Sequence, residues 1–302
     1  MRTTYRIKQP YADIFLQCSH DFKCNSKVKP NRFIKKMKRN TGLTTSFWNE
    51  YDEEGMEYRN PIITVLGDSV TAGHFESLVT PKIANIMKEV FRLKKEGALK
   101  EEIQKKTGFN LSLTPWEIYD ARESYVEKFR LKLIDKYELT SLSVINAGIA
   151  GDTLPSMVKR AYRDVICHRP DLILINGSLN WDDEEFGDES VYKNILKELV
   201  CLFKKETEAD IILLTPNGDL PGTIFETGDE IDSFKEPTTP ERCAAIREVA
   251  NEEGVCLADV RAVWDEAAQR GCPWKELLAN GVNHPSVEGH EVYAEVLMKL
   301  FD

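Results

Sequence analysis

Four short segments, far apart in the chain, carry residue types that together could perform acyl transfer. The first is Gly67-Asp68-Ser69-Val70-Thr71-Ala72-Gly73, where a serine among small residues directly follows an apolar run. A tight turn there can expose the hydroxyl as a nucleophile, although an Asp-Ser pair also suits a helix N-cap for backbone reasons alone. The spacing is not that of the Gly-x-Ser-x-Gly elbow, because position 71 is Thr. The second segment, Asn146 to Thr153, places Gly148 and Gly151 just after another apolar run. Glycine lets a backbone approach a ligand closely, and the Gly151 N–H could donate to a developing oxyanion; a plain glycine turn would look the same. The third, Asn176-Gly177-Ser178-Leu179-Asn180-Trp181, offers amide side chains as further donors in a loop where Asn is also common for its turn propensity. The fourth, Asn280 to Ser286, sets His284 before Pro285, which keeps the histidine extended and out of the helix that follows. An imidazole fixed on such a loop can act as base toward a serine on a neighbouring loop. His20, His74, His168 and His290 lack a comparable setting and are read as structural or exposed.

These groups can meet only if the elements carrying them end side by side. Five apolar runs are too short for helices, and several are β-branched: Ile62 to Leu66, Leu142 to Ile145, Leu172 to Ile175, Ile211 to Leu214 and Val255 to Ala258. Such runs predict strands buried on both faces. Helical patterns lie between them. Tyr125, Phe129, Leu133 and Tyr137 form one stripe, and Asn194 to Lys205 and Pro240 to Glu253 are two further helices, the latter stopped at Gly254. A last helix starts after the N-cap Ser286 and buries Val292, Tyr293, Val296, Leu297 and Leu300. Strand alternating with helix implies an α/β fold with a parallel sheet covered on both faces, in which catalytic groups gather at the carboxyl ends of the strands. Residues 1 to about 60 have no clean period and are expected to form an N-terminal extension packed on the core. Residues from about 76 to 114 interrupt the first crossover. Thr80-Pro81 can cap a helix carrying Ile83, Ile86, Met87, Val90 and Phe91 that stops at Gly97, and Thr114-Pro115-Trp116-Glu117 reads as a capping box restarting the crossover helix. This helical insertion is expected to form a lid or pocket wall with Val90 and Phe91 among its buried contacts, or alternatively a homodimer interface.

Taken together, the four segments resemble the four sequence blocks of the SGNH hydrolase superfamily (GDSL-type esterases and lipases), in order and each after the expected element. The resemblance covers residues 61–302 apart from the insertion, and implies a flavodoxin-like three-layer sandwich with a five-stranded parallel sheet. It implies Ser69 as nucleophile, Gly151 as an oxyanion donor and His284 as base. Two positions depart from the family pattern. Where the third block reads Gly-x-Asn-Asp, this chain has Ser178-Leu179-Asn180-Trp181; counting from Pro170, Asn180 falls where the family asparagine would, so the donor role passes to Asn180, with Asn176 as the fallback. The acid that usually orients the histidine is absent, position 281 being Gly and position 280 Asn. An Asn carbonyl can accept the Nδ1 proton. Asn280 could therefore orient His284, a carboxylate from elsewhere could do so, or the base could work in a dyad.

The implied reaction is hydrolysis of an ester through an acyl-enzyme, with no metal or organic cofactor. Asp182, Asp183, Glu184 and Glu185 follow Asn180. If they rim the pocket they repel anionic substrates; if not, they are a solvated loop. The expected substrate is a neutral short acyl ester, most simply acetyl, on a carbohydrate or another small molecule. A catalytically inactive SGNH-fold binding module and an acyltransferase using the same centre are the alternatives. The net charge of -10 and the pI near 5.2 argue against nucleic acid as the main partner, and the eight Lys or Arg residues from Lys23 to Arg39 are read as a solvated face. No apolar run approaches a membrane span and the first ten residues contain no signal-like apolar stretch, which makes a cytoplasmic location the default expectation. The seven cysteines have no framework spacing and suit free thiols in a reducing compartment; several, including Cys201 and Cys256, sit in apolar contexts that predict burial.

Overall fold

The computed structural model describes residues 5–39, 59–77, 81–108, 117–139, 141–220 and 240–302. Five strands form a parallel sheet: β1 (Ile62–Gly67), β2 (Ser143–Gly148), β3 (Leu172–Asn176), β4 (Asp210–Leu214) and β5 (Cys256–Ala258), in spatial order β2-β1-β3-β4-β5. That is the flavodoxin-like order, whose topological switch point lies between β1 and β3.

Alternation along the strands divides the core between two faces. Ile63, Val65, Leu172, Leu174, Ile212, Leu214, Cys256 and Ala258 join one apolar cluster. Leu66, Ile173, Ile175, Ile211, Leu213 and Leu257 join the other. Helices Tyr125–Tyr137, Val260–Gln269 and Val287–Met298 cover the first face, and Leu154–Asp164, Glu189–Glu206 and Pro240–Glu252 the second. With both faces covered, the strands β1, β3, β4 and β5 are almost wholly buried, which is why they read as unbroken apolar runs. β2, at one edge of the sheet, differs in that its residues are exposed or half-buried.

The two N-terminal helices, Tyr11–Asp21 and Asn31–Arg39, contribute Phe15, Phe33 and Met37 to the first cluster. Phe15 meets the Trp264 ring edge-on at 5.0 Å, and Phe33 meets Phe301 at 6.1 Å. Within the insertion, residues 81–108 form helices Pro81–Lys95 and Lys100–Thr107, and Gly97 adopts a left-handed conformation after the first. Val90, Leu93 and Ile103 are buried; the Phe91 side chain lies outside the described residues. The expected capping box does not restart the crossover helix. Glu117 belongs instead to a short strand, Glu117–Tyr119, antiparallel to His74–Ser77, and the helix begins only after Ser124; Thr114 to Trp116 lie outside the described residues. The helix expected from Asn194 starts at Glu189, because Asp188 caps it by accepting from the Ser190 and Val191 N–H groups. Cys201 projects from that helix and is exposed, whereas Cys18, Cys243, Cys256 and Cys272 are buried free thiols.

His290 lies fully buried where the last helix meets helix Tyr125–Tyr137, and its Nδ1 accepts the Tyr125 N–H at 3.1 Å. Burial, with smaller effects from the charges of Lys128 and His284, pushes the imidazole down to about 3. An unfolded imidazole titrates near ~6.5. His290 therefore contributes stability that is present above about pH 6.5 and is lost as the pH falls through about 3. Urea unfolding at pH 7 and at pH 4.5 should show a larger loss for the native chain than for His290→Gln, whose side chain cannot take up the proton. An equal loss in both would contradict this assignment.

Candidate active site

Strand register brings the loops together. Gly67 pairs with Gly148 across β1 and β2, and with Asn176 across β1 and β3. Three adjacent strands thus end level with one another at the switch point, and Ser69, Gly151 and Asn180 follow within a few residues. Close packing there demands glycine: a Cβ on Gly148 would lie 2.4 Å from the Ala72 nitrogen, and one on Gly67 would lie 2.9 Å from the Asn176 carbonyl oxygen.

Ser69 opens the single helical turn Ser69–Ala72, capped by Asp68 through the Val70 N–H at 3.0 Å and ended by left-handed Gly73. The capping role considered for the Asp-Ser pair thus falls to Asp68. Thr71 shares a hydrogen bond with the Tyr125 hydroxyl at 2.8 Å, and the Asn146 amide donates to the Thr71 carbonyl at 2.8 Å. Burial raises the Asp68 carboxyl to about 7, opposed by the Val70 N–H and reinforced by the nearby Asp152 charge.

His284 reaches the same place from the other end of the chain. Its Nε2 lies 3.0 Å from Ser69 Oγ, with Ser69 5% and His284 4% exposed. The loop carrying it is braced on several sides. The Ala279 N–H donates to the His284 carbonyl at 2.7 Å, and the Leu220 N–H donates to the Val282 carbonyl at 2.8 Å. Asn217 donates from Nδ2 to the Asn283 carbonyl at 2.9 Å and is itself held by the Tyr293 hydroxyl.

Asn280 does not bond to the imidazole ring. Its Oδ1 accepts the backbone N–H groups of Val282, Asn283 and His284, each at 3.0 Å, and its Nδ2 donates to Asn283 Oδ1. One carbonyl oxygen has two lone pairs, so three donors saturate it. Asn280 shapes the backbone on which His284 sits, and the expectation that its amide orients Nδ1 is corrected.

Gly151 takes φ +70°, with open space where a Cβ would stand. Asn180 Nδ2 donates to the Asp152 carbonyl at 3.1 Å, which ties the third loop to the second. Asn176, the fallback donor, is fully buried at the end of β3. Trp181, standing where the family pattern has Asp, is buried against Tyr192 and Phe186 and donates to the Gly187 carbonyl at 2.8 Å. The acidic run is partly spent: Asp182 caps the turn Asp183–Phe186, and Asp183 pairs with Arg242 at 3.0 Å. A rim field based on all four carboxylates is therefore an overestimate.

Two participants escaped the sequence reading. Arg160 sits on the buried face of helix Leu154–Asp164 and uses all five N–H groups. Nε and Nη2 meet Asp152 Oδ2 at 2.7 and 2.6 Å, Nη1 meets the Ala147 carbonyl at 2.7 Å and Asp164 at 2.9 Å, and Nη2 meets the Gly67 carbonyl at 3.0 Å. It thus joins the ends of β1 and β2 to the loop holding Gly151. Its signal was a cation between the core residues Met157 and Ala161. His74, set aside as a lone histidine, places its ring 5.9 Å from that of His284. Its only sequence signal was its position five residues after Ser69.

Chemically, a hydroxyl within hydrogen-bond reach of an imidazole, beside a left-handed glycine and a side-chain amide, suits nucleophilic attack on a carbonyl. Residues 65–292 match the GDSL-like lipase/acylhydrolase family. The chain belongs to that family. This GDSL-family chain is a carboxylic ester hydrolase. It is 28% identical over 174 residues to an acetylxylan esterase from Geobacillus stearothermophilus, a span covering 54% of this chain and 74% of that protein. Among solved structures, a variant of an acetyl-xylooligosaccharide esterase from the same bacterium superposes with a TM-score of 0.52 at 22% identity, covering 80% of this chain and 93% of the other. An alpha/beta hydrolase enzyme from the metagenome of Lake Arreo superposes at 0.51 with 20% identity, covering 80% and 96%. These two likenesses bear on the fold. No helix among the described residues is long and apolar enough to cross a membrane.

Proposed function

We propose that this GDSL-family hydrolase removes short acyl groups, acetyl foremost, from a carbohydrate through an acyl-enzyme on Ser69. The observation carrying the reading is the 3.0 Å contact between His284 Nε2 and Ser69 Oγ at the carboxyl ends of the central strands. In the first step His284 takes the hydroxyl proton as Ser69 Oγ bonds to the ester carbonyl carbon. The tetrahedral oxyanion is met by the Ser69 and Gly151 N–H groups and by Asn180. The amide nitrogen of Asn180 has two protons, and the one not given to the Asp152 carbonyl is available for the oxyanion. Each such donor is worth roughly 3–4 kcal/mol in the transition state. The alcohol leaves with the proton from His284, and water activated by the same imidazole then releases the acid.

Acetyl as the acyl group and sugar as the alcohol are supported by the acetylxylan esterase relative. Hydrolysis rates across 4-nitrophenyl acetate, butyrate, octanoate and palmitate test the first of these. The acetate should be turned over fastest, with kcat/KM falling steadily with chain length. A maximum at octanoate or beyond would refute the short-acyl assignment.

A further inference from the structure

One wall of the site is aromatic. In the antiparallel pair formed by His74–Ser77 and Glu117–Tyr119, His74 stands opposite Tyr119, and the Asp120 N–H locks the corner by donating to the Gly73 carbonyl at 2.8 Å. The Tyr119 ring lies over that of His74 at 5.6 Å and 28°. His74 in turn meets the His284 ring edge-on at 5.9 Å and 73°. Tyr119 is nevertheless 48% exposed. Among the described residues six large apolar side chains are exposed, and two of them are Tyr119 on this strand pair and Ile149, at 44%, on the loop leading to Gly151.

We propose that Tyr119, backed by His74, is a subsite that stacks on the pyranose ring bearing the scissile ester. The proposal rests on the esterase reading and adds the feature that would select a sugar as the alcohol portion. A sugar ring presents weakly positive C–H groups on its faces and hydroxyls around its edge. An aromatic face is electron-rich and apolar, so it attracts the C–H face and removes it from water while the hydroxyls stay solvated. The stack on His74 holds the Tyr119 ring in one orientation before substrate arrives, which lowers the ordering cost of binding. Tyr119 lies one ring removed from His284.

The test compares methyl 2,3,4-tri-O-acetyl-β-D-xylopyranoside with methyl acetate, which has no ring to stack. For Tyr119→Ala, kcat/KM on the xyloside relative to methyl acetate should fall about fivefold to tenfold, carried by KM. Tyr119→Phe, which keeps the ring, should retain the native ratio. Equal losses on the two esters, or a loss confined to kcat, would overturn the subsite. Binding separates this idea from the esterase reading. Titration of the xyloside into Ser69→Ala and into Ser69→Ala with Tyr119→Ala, followed by NMR, should show a Kd raised by the same factor in the latter. A raised Kd with no turnover of either ester by the native chain would keep the subsite and discard the esterase. Turnover of methyl acetate with an unchanged Kd would do the reverse.

Discussion

Ser69→Ala should lower kcat for acetyl ester hydrolysis by roughly 10⁴–10⁶, and His284→Ala by a similar factor. The double variant should be hardly worse than either single one, because nucleophile and base act as a unit and removing one already disables the other. The physical ground is the geometry: a serine hydroxyl is a weak nucleophile until a base lies within about 3 Å of its proton, and His284 Nε2 is at 3.0 Å. Both side chains are nearly buried yet sit on braced loops, so truncation to alanine should leave the fold intact; circular dichroism and thermal melting would verify that. A fluorophosphonate should form one adduct, on Ser69, in the native chain and none in Ser69→Ala. Unimpaired turnover by folded His284→Ala would sink the assignment of the base.

Arg160→Leu should show the second large effect, this time on stability and rate together. Removing the guanidinium leaves Asp152 without its cation, leaves Asp164 with Arg163 alone, and strips donors from the Gly67 and Ala147 carbonyls. Breaking a buried ion pair from one side costs about 3–5 kcal/mol, and for a domain of ordinary stability that is a large share of the total. Those molecules that stay folded should also be slower, by about 10² in kcat, because Asp152 loses the anchor that fixes Gly151 on one side and Asn180 on the other. Arg160→Lys keeps the charge but cannot reproduce a planar five-donor fork; its losses should fall between native and Arg160→Leu. Urea unfolding and steady-state kinetics read the two effects separately. A fully stable, fully active Arg160→Leu would show that the cluster plays no part in holding the two strand ends.

Much of this molecule was legible before its coordinates. Apolar runs of strand length, separated by helical stripes, specify a two-sided parallel sheet, because only strands buried on both faces lack polar alternation. Tyr125, Phe129, Leu133 and Tyr137 all turn inward as their four-residue spacing requires. Ser286 caps the last helix through the Gly289 N–H, as its side-chain chemistry suggests. Local signals misled where a distant partner competed. Thr114 to Glu117 matched a capping box, but Glu117 pairs in a strand with the segment after the Ser69 turn. Cys201 looked like a core residue from its apolar neighbours, yet helical geometry turns it outward while Leu199, Val200 and Phe203 face in.

At the site itself, residue types and order along the chain pointed to four loops, three of which follow directly on strand ends, whereas the loop of His284 follows the short helix Trp274–Leu277. What the amino-acid string could not determine is set by contacts between residues far apart in it. Ser69 and His284 are 215 positions apart, and Arg160 and Gly67 are 93. Whether the Asn280 oxygen turns to the imidazole or to three backbone N–H groups depends on how the loop closes, because both uses satisfy the same acceptor. Whether His74 lies beside His284 depends on strand pairing with residues beyond the insertion. Periodicity and local propensity thus determine the layers and the loops that leave them; register, side-chain direction and long-range pairing determine the site, because only the folded chain sets those distances.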